Sequence, residues 1–155
     1  MKHTALYMAK VELMKAPLFK IFFKAMDIPV NRKSKMGSHK AFVDAGHKID
    51  QGYSMCIYPE GTISNEGALR PFKNGAFKLA IEKQVPIIPV ANLNNWKLLQ
   101  NGGFFKSYGR PGLAKIVVGE PISTKGMTEE NLVDLRNQVH AFIQSELDKY
   151  NGTKN

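Results

Sequence analysis

Ser54-Met55-Cys56-Ile57-Tyr58-Pro59-Glu60-Gly61-Thr62 carries a short apolar run directly into a Pro/Gly turn. A run of that length bounded by a turn signal suits a buried strand. Helical patterns flank it on both sides. Upstream, Ser38 to Asp50 places Phe42, Ala45 or Gly46, and Ile49 at helical spacing, and Gly52 ends the helix. Downstream, Asn74 to Lys83 gathers Ala76, Phe77, Ala80 and Ile81 on one face. Helix, strand and helix in that order predict an α/β fold with a mainly parallel sheet and flanking helices.

The pattern extends outward from there. Ala5 to Ala9, Ile28-Pro29-Val30, Val85 to Ala91 and Ala114 to Val118 read as further strands. A helix is predicted from Pro17 to Met26, with Lys20 and Lys24 four apart among apolar residues. Residues 63 to 71 read as a loop, and 92 to 111 as irregular chain carrying Trp96, Phe104 and Phe105. Thr128 is a good N-cap, with Glu129 and Glu130 favourable behind it. Leu132, Leu135, Val139, Phe142, Ile143 and Leu147 give the last helix an apolar stripe. The expected organisation is one domain over residues 1–150 and a frayed, disordered tail at 151–155.

Composition narrows the partners. The 155 residues are 43% apolar, enough for a core, and carry a formal charge of +9. That sign favours anionic partners: nucleic acid, an anionic lipid surface or a phosphorylated small molecule. The basic residues are spread along the chain, and no helix-turn-helix, zinc or aromatic RNA-binding signature is present, so nucleic acid is disfavoured. The single cysteine, Cys56, excludes an internal disulfide framework and a multi-Cys zinc site. No metal and no bound cofactor is expected. Without a Walker-type loop or clustered carboxylates, kinase and phosphatase chemistry are disfavoured. No apolar run reaches the roughly 18 residues a bilayer span requires.

Three segments in order carry a resemblance. Ile28-Pro29-Val30-Asn31-Arg32-Lys33, Tyr58-Pro59-Glu60-Gly61-Thr62-Ile63-Ser64 and Val85-Pro86-Ile87-Ile88-Pro89-Val90 resemble the second, third and fourth motif blocks of the 1-acylglycerol-3-phosphate (lysophosphatidic acid) acyltransferases. Pro71 to Lys78 matches a similar run of that family, and Ala9 to Leu13 followed by Pro17-Leu18-Phe19 resembles its link between the first two blocks. The resemblance implies a glycerol-3-phosphate acyltransferase-like domain. It also implies transfer of a fatty acyl group from a thioester, acyl-CoA or acyl carrier protein, to the hydroxyl of a lysophospholipid acceptor. A membrane-associated protein on the cytoplasmic face, acting in phospholipid synthesis, follows from the same resemblance.

By that resemblance Arg32, Glu60, Gly61 and Thr62 bind the acceptor's phosphate and glycerol. The chemistry of the side chains agrees. Arg32 offers a planar fork to two phosphate oxygens and stays charged at any working pH. Gly61 permits a tight turn with an exposed N–H, and Thr62 adds a hydroxyl. Glu60 suits a ligand hydroxyl or the orientation of a basic neighbour. Where the family often has Arg after Pro-Glu-Gly-Thr, this chain has Ile63, leaving Arg70, Lys73 and Lys78 as cations available to compensate.

The resemblance also implies a first block, His-x-x-x-x-Asp, supplying a general base and its orienting carboxylate ahead of the Ala9–Leu13 link. His3 does not fill it, since Met8 stands five residues on. His39, His47 and His140 read as solvated positions on helices. The expectation is a domain incomplete at its N-terminus, with no catalytic pair and little or no activity of its own. The alternative is a non-catalytic phospholipid- or membrane-surface-binding protein on the same fold.

Overall fold

A computed structural model describes residues 5–10, 27–30, 34–62, 68–100 and 107–152. The chain packs as two compact units, Met1–Tyr58 and Pro59–Asn155.

In the first unit, β1 (Ala5–Lys10) lies between β2 (Asp27–Val30) and β3 (Ser54–Cys56), all parallel. Tyr7 to Lys10 pair with Asp27 to Val30, and Ala5 to Tyr7 with Ser54 to Cys56. Parallel neighbours require a crossover, and α1 (Lys35–Asp50) supplies the one from β2 to β3. Its Ala41 and Ala45 are buried, with Phe42 and Ile49 half-buried, on the face that packs against both strands. The helix starts earlier than its apolar spacing predicts, because the Ser34 hydroxyl accepts the Gly37 N–H at 3.2 Å. It ends as the glycine predicts. Gly52 takes φ +85°, and the Tyr53 N–H closes on the Lys48 carbonyl at 3.0 Å in a Schellman arrangement. Strand β3 stops at Cys56 instead of reaching Tyr58. Pro59 has no N–H with which to extend a ladder.

The second unit is built on two helices, α2 (Gly75–Lys83) and α4 (Leu132–Gly152), which pack together. Between them in sequence lie β4 (Val90–Asn92), the short α3 (Asn95–Leu98), β5 (Leu99–Gln100), β6 (Tyr108–Gly109) and β7 (Ile116–Val118). Strands β4 and β7 pair antiparallel, as do β5 and β6. Parallel pairing among the described residues is therefore confined to the first unit. The core gathers Phe72, Phe77, Ile81, Leu132, Leu135 and Val139. A second cluster of Ala91, Leu93 and Leu147 packs with Val117 and Tyr150. Four of the predicted stripe residues, Leu132, Leu135, Val139 and Leu147, are buried in these clusters, while Ile143 packs on both from a half-buried position. Thr128 heads the last helical segment through a capping box with Asn131, as a 3-10 turn (Glu129–Asn131) leading into α4. Helix α4 runs to Gly152, two residues into the stretch read as tail.

The strand expected over 85–91 is broken. Pro86 and Pro89 withhold N–H groups, so pairing survives as an isolated Ile87–Ile122 bridge and resumes only at Val90. Nor is the segment wholly buried: Ile88 and Val90 are exposed, whereas Pro89 and Ala91 are buried. The irregular 92–111 segment holds a short helix and both strands of a two-residue ladder where no element is predicted. The helix predicted over 17–26, Ile63 and Phe104-Phe105 lie outside the described residues.

Candidate functional site

The Pro59–Thr62 turn is held by the segment that follows it. The Lys73 N–H donates to the Pro59 carbonyl at 2.9 Å. The Arg70 N–H donates to the Glu60 carboxylate at 3.0 Å. Two bonds three residues apart lay residues 70–73 alongside the turn. Both use backbone donors, so they constrain the geometry whatever the side chains at 70 and 73 are. Glu60 is thereby fixed through one oxygen. The other oxygen of a carboxylate so held is free to accept from a ligand hydroxyl.

Gly61 sits at φ +70°, a region L side chains rarely adopt. A methyl group added there would come within 2.9 Å of the Lys73 Cε and Nζ. The lysine side chain therefore passes across the glycine on the face a Cβ would occupy. Thr62 is exposed, with its hydroxyl at the surface. The turn carries a carboxylate, a glycine and a hydroxyl, with an ammonium passing across the glycine. Of the predicted site residues, Glu60, Gly61 and Thr62 are contiguous here. Arg32 lies outside the described residues.

The three compensating cations are placed differently. Lys78 is paired with Glu129, which pushes its ammonium up and the Glu129 carboxyl down from their ordinary values. Arg70 meets the turn through its backbone. Lys73 alone of the three is set over Gly61 by its side chain.

The histidines divide. His39 and His47 are exposed, as predicted. His140 is not solvated: it is half-buried, its ring edge-on to Phe72 with centroids 4.7 Å apart. The sequence reading placed it on the polar side of α4, but Phe72 reaches it from a distant segment. The spacing His-x-x-x-x-Asp does occur once, at His39 and Asp44, which that reading passed over. Both lie on α1, where residues five apart diverge by about 140° at 3.6 residues per turn. Both are exposed, so they do not form an oriented base. Cys56, half-buried in β3, has its thiol raised by burial and is a poor thiolate nucleophile. Among the described residues no group of three His, Cys, Asp or Glu could hold a metal ion. Among them, too, no helix is long and apolar enough to cross a membrane.

The comparisons with known proteins agree with this fold. The Acyltransferase family model matches residues 2–92. The chain belongs to that acyltransferase family. Human 1-acyl-sn-glycerol-3-phosphate acyltransferase beta is 32% identical over 117 residues, 75% of this chain and 41% of its own length. The 1-acyl-sn-glycerol-3-phosphate acyltransferase of Haemophilus influenzae is 30% identical over 150 residues, 89% of this chain and 56% of its own. The crystal structure of the 1-acyl-sn-glycerophosphate acyltransferase of Thermotoga maritima superposes with a TM-score of 0.78 at 25% identity. It covers 94% of this chain and 56% of that one. The chain thus spans about half the length of these relatives.

Proposed function

We propose that the protein is the acceptor-binding part of a 1-acylglycerol-3-phosphate acyltransferase. Its reaction moves a fatty acyl group from acyl-CoA or acyl carrier protein to lysophosphatidic acid or a related lysophospholipid. The acceptor hydroxyl adds to the thioester carbonyl, the C–S bond breaks, and the thiol leaves with the proton the hydroxyl gave up. Arg32 and the turn Glu60-Gly61-Thr62 hold the acceptor's phosphate and glycerol. The observation that carries this reading is the turn itself. Gly61 at positive φ beside a backbone-anchored Glu60 offers the phosphate and hydroxyl contacts together, in a chain of this family. Work on a lipid substrate puts the protein at a membrane surface on the cytoplasmic side.

Among the described residues no histidine and carboxylate form an oriented pair that could supply the base for that step. General-base catalysis is worth about 10²–10⁴ in rate. The chain alone is therefore expected to bind acceptor and turn over little or no thioester. Free-thiol release from acyl-CoA with lysophosphatidic acid tests this. A rate within about tenfold of a full-length relative would overturn the inactivity. Loss of acceptor binding on Arg32→Gln supports the site, and unchanged binding removes Arg32 from it.

A second reading is a non-catalytic phospholipid- or membrane-surface binder on the same fold. It is favoured by the divergence of His39 and Asp44 on α1. The intact mass of the native protein from its own cells separates the two. A mass well above 17.3 kDa supports the enzyme, with its base in the additional residues. A mass of 17.3 kDa supports the binder.

A further inference from the structure

We infer that Lys73 is the second phosphate-binding cation of this site, in the role left open by Ile63, and that it confers preference for a phosphomonoester acceptor over an uncharged one. This rests on the acceptor reading of the Glu60-Gly61-Thr62 turn and names the residue that reading lacks.

The reasoning begins with the glycine. At Gly61 the absent side chain leaves a face of the turn open, and the Lys73 stem fills it, with Cε and Nζ both 2.9 Å from where a Cβ would stand. The placement is imposed by the backbone. The Lys73 N–H to Pro59 bond and the Arg70 N–H to Glu60 bond fix the segment on the turn before the side chain chooses a rotamer. The ammonium is thus brought beside Gly61, in the turn that also carries the Glu60 carboxylate.

Lys73 is exposed, and no carboxylate among the described residues forms an ion pair with it. Its charge is available to a ligand. Lys78 is not available in that way, being paired with Glu129. The Glu60 carboxylate repels a phosphate, so a turn holding Glu60 needs a cation before it can take one. Lys73 supplies that cation, and Glu60 is left for the glycerol hydroxyl. An ammonium is a compact point charge with rotatable donors, suited to a phosphate that arrives in more than one orientation.

The test uses 1-hexanoyl lysophosphatidate, short enough to stay monomeric, against 1-hexanoylglycerol, which lacks the phosphate. Titration calorimetry compares the full chain with K73Q, K73R, K78Q and the double variant K73Q/I63R. Lysophosphatidate should bind K73Q about tenfold more weakly, the scale of one hydrogen bond to a charged group. K73R and K78Q should stay close to the unsubstituted chain, and I63R should restore binding to K73Q. Rescue by an arginine at a different position is not expected of a purely structural lysine. If K73Q binds as the unsubstituted chain does, or K73Q and K78Q lose affinity equally, Lys73 is not the phosphate cation and the acceptor reading stands without it. If the unsubstituted chain does not distinguish the two probes, the acceptor reading itself fails.

Discussion

Among the described residues of the first unit Ser34 bonds Gly37 and Lys48 bonds Gln51, each closing over three residues, beside two parallel ladders. In the second unit the polar side chains reach far. The buried Thr124 hydroxyl lies 3.1 Å from the Ala80 carbonyl and 2.9 Å from that of Val85. Gln84, at φ 52°, donates to the Met127 carbonyl and accepts the Gly126 N–H, tying the end of α2 to the same loop. Asn94 bridges the Leu113 carbonyl and the Lys115 N–H. Arg136 on α4 donates to Asn74 at the head of α2. The described residues of the first unit thus show short-range bonds and parallel strand pairing. The second rests on a helix pair stitched by contacts that no short window of sequence contains. The candidate turn belongs to the second kind, because residues ten or more positions downstream of Pro59 and Glu60 hold it in place.

The sharpest way to break this contrast is to hollow the helix pair. Leu135 is 2% exposed at the centre of the α2–α4 core. L135A should cost about 2–5 kcal/mol, read as a shift in the chemical denaturation midpoint. Hydrogen exchange should show α2 and α4 amides losing protection before those of β1. Equal loss in both would mean that the two units unfold as one.

Thr124→Val comes next. It keeps the shape and removes the one O–H that the Val85 and Ala80 carbonyls share, the Ala80 carbonyl keeping the Val85 N–H, at a cost of about 1–3 kcal/mol. The same denaturation series measures it. A neutral result would mean that water replaces the hydroxyl and that the stitching contributes little.

The two glycines sharpen the comparison further. Gly52 has open space where a Cβ would go, whereas Gly61 has Lys73. Both sit at positive φ, so alanine at either should cost about 1–2 kcal/mol. Only G61A, which displaces the Lys73 side chain, should also weaken lysophosphatidate binding. Equal loss of binding in G52A would show that the effect travels through stability.

The smallest effect concerns Cys56. Burial raises its thiol pKa in the folded state above the ordinary cysteine value. The protonated thiol is therefore favoured in the fold. Its contribution to stability is present below about pH 9 and is lost as pH rises through the folded pKa. Stability should decline slightly above pH 9 in the unsubstituted chain and less in C56A. Alkylation by iodoacetamide at pH 8 should be slower folded than in urea.

The sequence by itself determined the repeating features. The apolar spacing of α1, α2 and α4, the Gly52 stop, the Thr128 cap and the order of the motif segments were legible because each is encoded within a few residues of itself. The glycine of the candidate turn was legible for the same reason: a Pro-Glu-Gly-Thr run needs a left-handed residue at a known place. The tertiary structure alone decided what meets across distance. It broke the 85–91 strand, since the two prolines matter only once a partner strand requires their N–H groups. It set His140 against Phe72 and buried Thr124. It also carried the Lys73 side chain across Gly61, because charge is written in the sequence whereas the direction in which a side chain is carried depends on where the backbone is pinned.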